Sequence, residues 1–360
     1  VASDHEFMRR ALGLAAAGWG RVHPNPLVGA VVVRNGRVVG EGWHTEFGEP
    51  HAEIMALGAA GERAKQATLY VTLEPCAHRG KTPPCTDAIV AAGIARVVYA
   101  SPDPNEQARG GASVLAGHGI DVESGLLADE ERRLNAAFHF AHEQRRPWVA
   151  LKLAVSLDAK LAGEPGRRTD VTGPQAWDEV HRLRAGFDAL LVGRGTVETD
   201  DPLLTVRGPV KPRVPPMRVV LDSHATMPLD ARLITTLADA RLTVLTGPHA
   251  ERDRTRELER VGATIQSVPG SSQGIDLEKA LSTLWQGGVR SILCEGGARV
   301  AAALIEADLV QRIYLFIAPV FFGEAGVPAF PLQATTPHWT LCETRQLGAD
   351  ALLVLDRNPE

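Results

Sequence analysis

"PHAEIMALGAAG" (residues 50–61) and "EPCAHRGKTPPC" (residues 74–85) carry the pattern that decides the fold. His51, Cys76 and Cys85 each follow a proline, and each stands where a loop or strand gives way to a helix-forming run. Taken alone, these residues admit a zinc site, a redox pair or small side chains buried in a core. Zinc takes four tetrahedral ligands, and a catalytic site leaves one of them to water. Two thiolates and a neutral imidazole supply three and make a neutral site. An ion held there lowers the pKa of its water enough to form a nucleophile near neutral pH. Glu53 lies too close to His51 in sequence to ligate the same ion easily, and it suits a proton shuttle between water and leaving group. The joint pattern favours zinc.

Outward from that stretch, the chain has 360 residues, longer than most single domains, so two domains are expected. A net charge of −5 gives no footprint for nucleic acid or an anionic membrane. Four cysteines in a chain of this size do not form a disulfide framework and fit a reducing compartment. The opening "VASDHEFMRRALGLAAAG" lacks a basic start followed by a long apolar core. It reads as an amphipathic helix with a capping box from Ser3 to Glu6. The longest apolar run, "IYLFIAPVFFG", is too short to span a bilayer and contains a proline. A soluble cytoplasmic protein is expected, forming a homo-oligomer (dimer or tetramer).

"LVGAVVV" and "RVVGEGW" flank Asn35-Gly36, a two-residue hairpin signal, because both central positions need positive φ. A helix from about His51, the strand "TLYVTLEP", a helix from about Cys85, the strand "ARVVYAS", a helix over "GGASVLAGHGI" and "DVES" follow. Such alternation implies an α/β layer fold. The helix "DEERRLNAAFHFAHEQRR" ends near Pro147, where the domain boundary is placed: residues 1–147 and 148–360. Alternation then restarts with "WVALKLAVSL", "FDALLVGR", "MRVVLDS", "RLTVLTG", "RSILCEGG" and "RIYLFIAPVFFG" as strands, and "TLCETRQLGADALLVLDR" closes as a hairpin. The Pro-rich 208–217 reads as a loop inside the second domain.

His-x-Glu followed by Pro-Cys resembles the zinc deaminases of nucleosides and bases, whose signature continues Cys-x-x-Cys. Here "AHRGKTPP" separates the two cysteines. That longer loop, with "HPNPLVGAVVV", "GWH", "PHAE" and "DPNEQARGGA", resembles the diaminohydroxyphosphoribosylaminopyrimidine deaminases of riboflavin biosynthesis. The resemblance implies a cytidine-deaminase-like α/β/α domain with one zinc ion on His51, Cys76 and Cys85, and Glu53 as the catalytic proton carrier. It implies that Asn25 reads the pyrimidine and that His44, Lys81, Asp103 and Asn105 contact ring, ribose and phosphate. Asn25 between two prolines is equally a turn residue. His78 reads as a loop residue, not a ligand.

The second half lacks Gly-x-Gly-x-x-Gly after its first strand, so a Rossmann nucleotide site is not supported. "SILCEGGARVAAALIEADL" offers a strand, a glycine pair and a helix N-terminus suited to phosphate, and equally a plain turn. Together with "LKLAVSLDAKLAG", "VHRLRAGFDALLVGRGTVETDDPLLTVR" and "RVVLDS", it resembles the pyrimidine reductase fused to that deaminase. The resemblance implies a dihydrofolate-reductase-like α/β domain that uses NADPH. Cofactor positions then fall on Ala154, Asp170, Thr196, Asp200, Gly296 and Gly297, and substrate positions on Arg168, Arg184, Leu204, Arg207 and Glu295. Two arginines suit a ribose 5-phosphate, since guanidinium groups bind its oxygens bidentately. Lys152 approaches this region, although strand lysines often face solvent.

"RRTDVTG" departs from the family pattern: Arg168 stands where a substrate-binding serine is usual and Asp170 where a tryptophan contacts the cofactor. An aspartate there loses stacking area and adds negative charge. Ala159 replaces a usual glycine. The expected function is bifunctional: hydrolytic deamination of 2,5-diamino-6-ribosylamino-4(3H)-pyrimidinone 5′-phosphate, then NADPH reduction of the ribosyl chain of 5-amino-6-(5-phosphoribosylamino)uracil. The rivals are an active deaminase with an impaired or altered reductase, a nucleic-acid deaminase and a zinc-stabilised scaffold. Short cysteine spacing and a basic surface would mark the nucleic-acid enzyme, and a fourth protein ligand would mark the scaffold.

Overall fold

The computed structural model describes residues 3–78, 83–271, 274–333 and 338–358. The chain divides into two compact units, Val1–Arg145 and Arg146–Glu360.

The first unit runs α1 (Asp4–Ala15), β1 (Gly29–Arg34), β2 (Arg37–Trp43), α2 (Ala52–Ala60), β3 (Thr68–Leu73), α3 (Cys85–Ala91), β4 (Arg96–Ser101), α4 (Gly111–Gly117), β5 (Asp121–Ser124), α5 (Ala128–Leu134) and α6 (Ala136–Gln144). Its sheet has the order β2-β1-β3-β4-β5, with β1 antiparallel to both neighbours and β3, β4 and β5 parallel. Asn35 and Gly36 turn the β1–β2 hairpin at φ 52° and 73°. Along β1, Ala30 and Val32 join one apolar cluster with α2, whereas Val31 and Val33 join another with Phe7, Met8 and Ala11 of α1. Because alternate strand residues point to opposite faces, this division makes a sheet covered by helices on both sides.

The single helix expected over 129–146 is two. Asn135 breaks it at φ −102°, ψ 27° because its side chain is occupied elsewhere. It accepts from Leu27 N–H at 2.7 Å and donates to the Leu27 carbonyl at 2.9 Å. Nothing in the local sequence signals a partner 108 positions away.

The second unit runs β6 (Trp148–Ser156), β7 (Lys160–Ala162), α7 (Pro174–Ala185), β8 (Ala189–Gly193), α8 (Arg194–Asp200), β9 (Met217–Leu221), α9 (Arg232–Thr235), β10 (Leu242–Thr246), α10 (Arg252–Arg260), β11 (Thr264–Ser267), β12 (Gly270–Ser271), β13 (Gly274–Ile275), α11 (Leu277–Gln286), β14 (Ser291–Cys294), α12 (Ala298–Glu306), β15 (Arg312–Ala318), β16 (Val327–Pro328), β17 (Trp339–Leu347) and β18 (Asp350–Arg357). Nine strands form one sheet, β11-β10-β9-β8-β14-β6-β15-β18-β17. It is parallel from β11 to β15 and closes with the antiparallel β18 and β17. Parallel pairing needs crossovers, and α7, α10, α11 and α12 supply helical segments between parallel strands. Val149, Leu151, Leu153 and Val155 of β6 enter the core cluster on one face, which leaves Lys152 and Ala154 on the other.

Candidate active sites

In the first unit, three junctions converge. His51 caps α2 with extended backbone, Cys76 follows β3 and Pro75, and Cys85 opens α3. His51 Nδ1 lies 3.2 Å from Cys85 Sγ and 3.6 Å from Cys76 Sγ, and the Cys85 N–H donates to Cys76 Sγ at 3.4 Å. The three ligand atoms lie within 4.8 Å of one another, and no fourth described residue joins them. Cys85 and His51 act as donors to Cys76, so that thiol is held well below its ordinary range, while the adjacent Cys76 and burial push Cys85 far above. A cation at their centre satisfies both sulfurs in place of a shared proton. This donor set fits zinc with one position left for water.

Close backbone approach builds the site. A Cβ on Gly42 of β2 would come within 2.5 Å of Ala56 N and 2.7 Å of Ala52 O, so glycine lets α2 press against the strand. Glu53, on the first turn of α2, is only 3% exposed, and burial raises its pKa. It borders a cavity of about 310 Å³ with His51, Cys76, Asn25, His44, Asp103 and Asn105. His44 Nδ1 is 3.2 Å from the Pro50 carbonyl and Nε2 is 3.1 Å from Asn25 Nδ2. Asp103 accepts from Asn105 N–H at 2.8 Å, and burial pushes its pKa up to about 6. Lys81 lies outside the described residues. His78 borders the cavity but does not join the three ligands.

Two buried acids of this unit escaped sequence reasoning. Glu74 accepts from Gly110 N–H (3.0 Å), Ala112 N–H (3.1 Å) and Asp103 N–H (3.3 Å), tying the 103–105 loop to the start of α4. Glu131, fully buried, accepts from Asn135 at 2.7 Å and pairs with His139 at 2.8 Å. Glu74 adjoins Pro75 in the quoted motif, which was a usable signal; Glu131 had none.

In the second unit every cofactor and substrate position named from the resemblance borders one cavity of about 840 Å³. Arg184 donates bidentately to Glu295, Nε to Oε1 at 2.6 Å and Nη2 to Oε2 at 2.9 Å, and Nη1 donates to Thr205 O at 3.1 Å. Burial opposes the charge on Glu295, yet Arg184 and Lys152 hold its carboxyl below the usual value. Lys152 Nζ stands 4.0 Å from Glu295 with its side chain 13% exposed, so the solvent-facing alternative for this strand lysine is corrected. Burial depresses its pKa. Arg207 donates to Thr205 Oγ1 at 2.9 Å, and Leu204 is buried at φ 47°, a conformation rare for a leucine.

Gly297 caps α12 and donates its N–H to Thr196 Oγ1 at 3.0 Å. A Cβ at Gly296 would meet Val300 at 3.0 Å and one at Gly193 would meet it at 2.7 Å, so these turns need glycine to keep the cavity wall close to the backbone. Ala154, Asp200, Gly296 and Gly297 line this cavity, and its size and the N-terminus of α12 fit a phosphorylated dinucleotide such as NADPH. Arg168 Nη2 donates to Asp170 at 2.8 Å: the two departures from the family pattern pair with each other.

Residues 147–353 match the RibD C-terminal domain, and residues 1–101 match the cytidine and deoxycytidylate deaminase zinc-binding region. The riboflavin biosynthesis protein RibD of Aquifex aeolicus (strain VF5) is 42% identical over 322 residues, spanning 89% of this chain and 88% of its own. That of Escherichia coli (strain K12) is 38% identical, spanning 98% and 99%. The chain belongs to the RibD family. Among solved structures, Acinetobacter baumannii RibD superposes with a TM-score of 0.86 at 34% identity, covering 99% of both chains. The Thermotoga maritima diaminohydroxyphosphoribosylaminopyrimidine deaminase/5-amino-6-(5-phosphoribosylamino)uracil reductase superposes with 0.84 at 35%, covering 98% of both. RibD chains are bifunctional deaminase–reductases of riboflavin biosynthesis, with zinc and NADPH as cofactors, and this chain holds both domains.

Proposed function

We propose that residues 1–147 deaminate 2,5-diamino-6-ribosylamino-4(3H)-pyrimidinone 5′-phosphate and that residues 148–360 then reduce the ribosyl chain of the aminouracil product to ribityl. The convergence of His51, Cys76 and Cys85 beside buried Glu53 carries the first half. Zinc held there supplies an activated water. Glu53, buried on the first turn of α2 and bordering the cavity beside His51 and Cys76, would take the proton from that water and pass it to the departing amino group. Asn25, Asn105 and Asp103 orient the pyrimidine, and Lys81 meets its phosphate.

In the second unit Gly296, Gly297, Thr196, Asp200 and Ala154 would hold NADPH, which would supply the hydride when bound. Arg207 and Arg168 hold the substrate phosphate. Arg184 fixes Glu295, and Glu295 with Lys152 forms a buried pair that can hold a proton for the reducing end of the sugar. Because Arg168 offsets the charge of Asp170, the loop does not present a bare carboxylate to an anionic cofactor. This favours an active reductase over the impaired alternative.

We also place the protein in the cytoplasm as a homo-oligomer. None of its four cysteines forms a disulfide, and no helix among the described residues is long and apolar enough to cross a membrane. Two assays test the enzymology. Glu53→Gln is expected to retain zinc and lose ammonia release by about 10²–10⁴-fold, and full activity in it removes Glu53 from the mechanism. Supplying the aminouracil with NADPH and following nicotinamide absorbance tests the reductase; no oxidation at saturation establishes the impaired reading instead.

A further inference from the structure

We propose that Trp177 is a specificity-determining residue of the reductase, its indole serving as the platform on which the uracil ring of the substrate stacks. This rests on the reading of residues 148–360 as the reductase and adds what recognises the ring.

The cavity of the second unit has to receive a flat heterocycle, yet its walls are almost wholly aliphatic, polar or charged. Trp177 is the one Phe, Tyr or Trp among the described residues that border it. The loop that carries Asp170 supplies no aromatic surface. Phe316 lies 5.7 Å from Lys152 Nζ but is fully buried, so no ligand reaches it. The indole of Trp177 is only half-buried, and no acceptor among the described residues takes its N–H. Unlike the arginines around the cavity, it is not committed to a partner by a hydrogen bond.

Its place in the fold gives the indole its role. Trp177 and Arg184 both border the cavity from α7, and seven residues are two turns, so they share one side of the helix about 10 Å apart. The Arg184 end is the phosphate end. His181, one turn before Arg184, accepts from Arg207 N–H at 3.2 Å, and Arg184 forks onto Glu295. Lys152 stands between the two ends: its Nζ is 4.0 Å from Glu295 and 5.8 Å from the centre of the Trp177 ring. Arg207, Arg184 with Glu295, Lys152 and Trp177 thus follow one another along a single line of contacts. The substrate has the same order of parts, phosphate, sugar, C1′ and ring. With the phosphate at Arg207 and C1′ beside Glu295 and Lys152, the next group of the protein is the indole, and the next group of the substrate is the uracil. A flat ring stacks on an indole through its face whatever its edge carries. The cavity therefore prefers a phosphosugar that bears a flat ring at C1′ over the same phosphosugar without one.

Steady-state NADPH oxidation by the full chain, with the aminouracil phosphate as substrate, tests this in Trp177→Leu, Trp177→Gln and Trp177→Phe. Ribose 5-phosphate, which keeps sugar and phosphate but lacks the ring, serves as competing ligand. Leu and Gln are each expected to raise KM for the aminouracil about tenfold, with kcat changed less, and Phe should recover most of the loss. KM for NADPH and inhibition by ribose 5-phosphate should stay as in the parent, which also shows that the cavity has kept its shape. An unchanged aminouracil KM in Leu and Gln overturns the proposal. A rise confined to the KM for NADPH assigns the indole to the nicotinamide and overturns it too. Equal weakening of ribose 5-phosphate and aminouracil makes Trp177 a wall of the cavity with no part in reading the ring, with the same consequence. In each of these cases turnover by the parent leaves the reductase reading standing, whereas no NADPH oxidation by the parent overturns that reading and the proposal together.

Discussion

Arg184→Ala removes one partner from the best-buried ion pair of the reductase cavity. Arg184 and Glu295 expose only 6% and 8% of their side chains. Truncation deletes two bonds to the carboxylate and one to Thr205 O, and leaves Glu295 buried with Lys152 at 4.0 Å. Breaking a buried pair on one side costs about 3–5 kcal/mol, because the surviving charge is left uncompensated. Lys152 offsets part of this, so about 3 kcal/mol is expected. For a unit of this size that lowers Tm by about 6–12 °C. Arg184→Lys keeps the charge but loses the fork, and should fall between. Arg256→Ala serves as the control: its pair with Asp253 is 63% and 91% exposed, and its loss should move Tm by no more than about 1–3 °C. Scanning calorimetry of the full chain, reading the transition of the reductase unit, decides the matter. A shift for Arg184→Ala no larger than the control would refute the view that Glu295 depends on Arg184.

Asp158 tests pH dependence: it accepts from Ser156 Oγ (2.5 Å), Phe322 N–H (3.2 Å) and Gly323 N–H (2.7 Å), which lower its pKa to about 2. Since the folded value lies below the unfolded value of about 3.9, its contribution is present above pH 4 and fades as pH falls toward 2. Asp158→Asn should therefore lower Tm at pH 6 and match the parent near pH 2; an equal deficit at both would exclude the carboxylate as the cause. Gly42→Ala should force α2 off β2 at a cost of about 1–3 kcal/mol, reducing zinc content and ammonia release while NADPH oxidation persists. Zinc at one per chain with unchanged deamination would show that the strand gives way instead. Asp170→Asn should free Arg168 and tighten the apparent affinity for the phosphorylated substrate, an effect that shrinks with added salt. A salt-independent KM would remove the pair from substrate binding.

The metal cluster was legible because its information is local: ligand-type residues, each after a proline, at junctions where strands and helices exchange. The α/β class was legible for the same reason, since alternation of periodicities lies along the chain. What stayed hidden is pairing across distance. Helical pattern runs through 129–146, and only the Asn135–Leu27 bonds end one helix and start another. Lys152 sits in a strand with apolar residues on both sides in sequence. Which face holds the core and which the cavity depends on the elements that cover each. Arg184 and Glu295 are 111 positions apart, and no pattern in sequence joins them.

The departures at "RRTDVTG" show how a deviation changes meaning once the fold is known. In sequence, Arg168 and Asp170 were two separate losses, a small polar contact and an aromatic surface, with an acid added near an anion site. In the structure they are a single unit, because two positions apart on the same loop their side chains meet at 2.8 Å. Each makes the other tolerable: Asp170 without Arg168 repels a phosphorylated ligand, and Arg168 without Asp170 adds positive charge beside Arg207 and Arg184 in the same cavity. With 49% and 63% of their side chains exposed, the pair is held by about 1 kcal/mol or less. That is too little to resist an incoming phosphate, whose bidentate bond to a guanidinium is stronger than a hydrated surface pair. On the proposed reading of this loop, the lost stacking surface is replaced by a cation that the substrate phosphate can draw away from Asp170 at the position where the family pattern is broken.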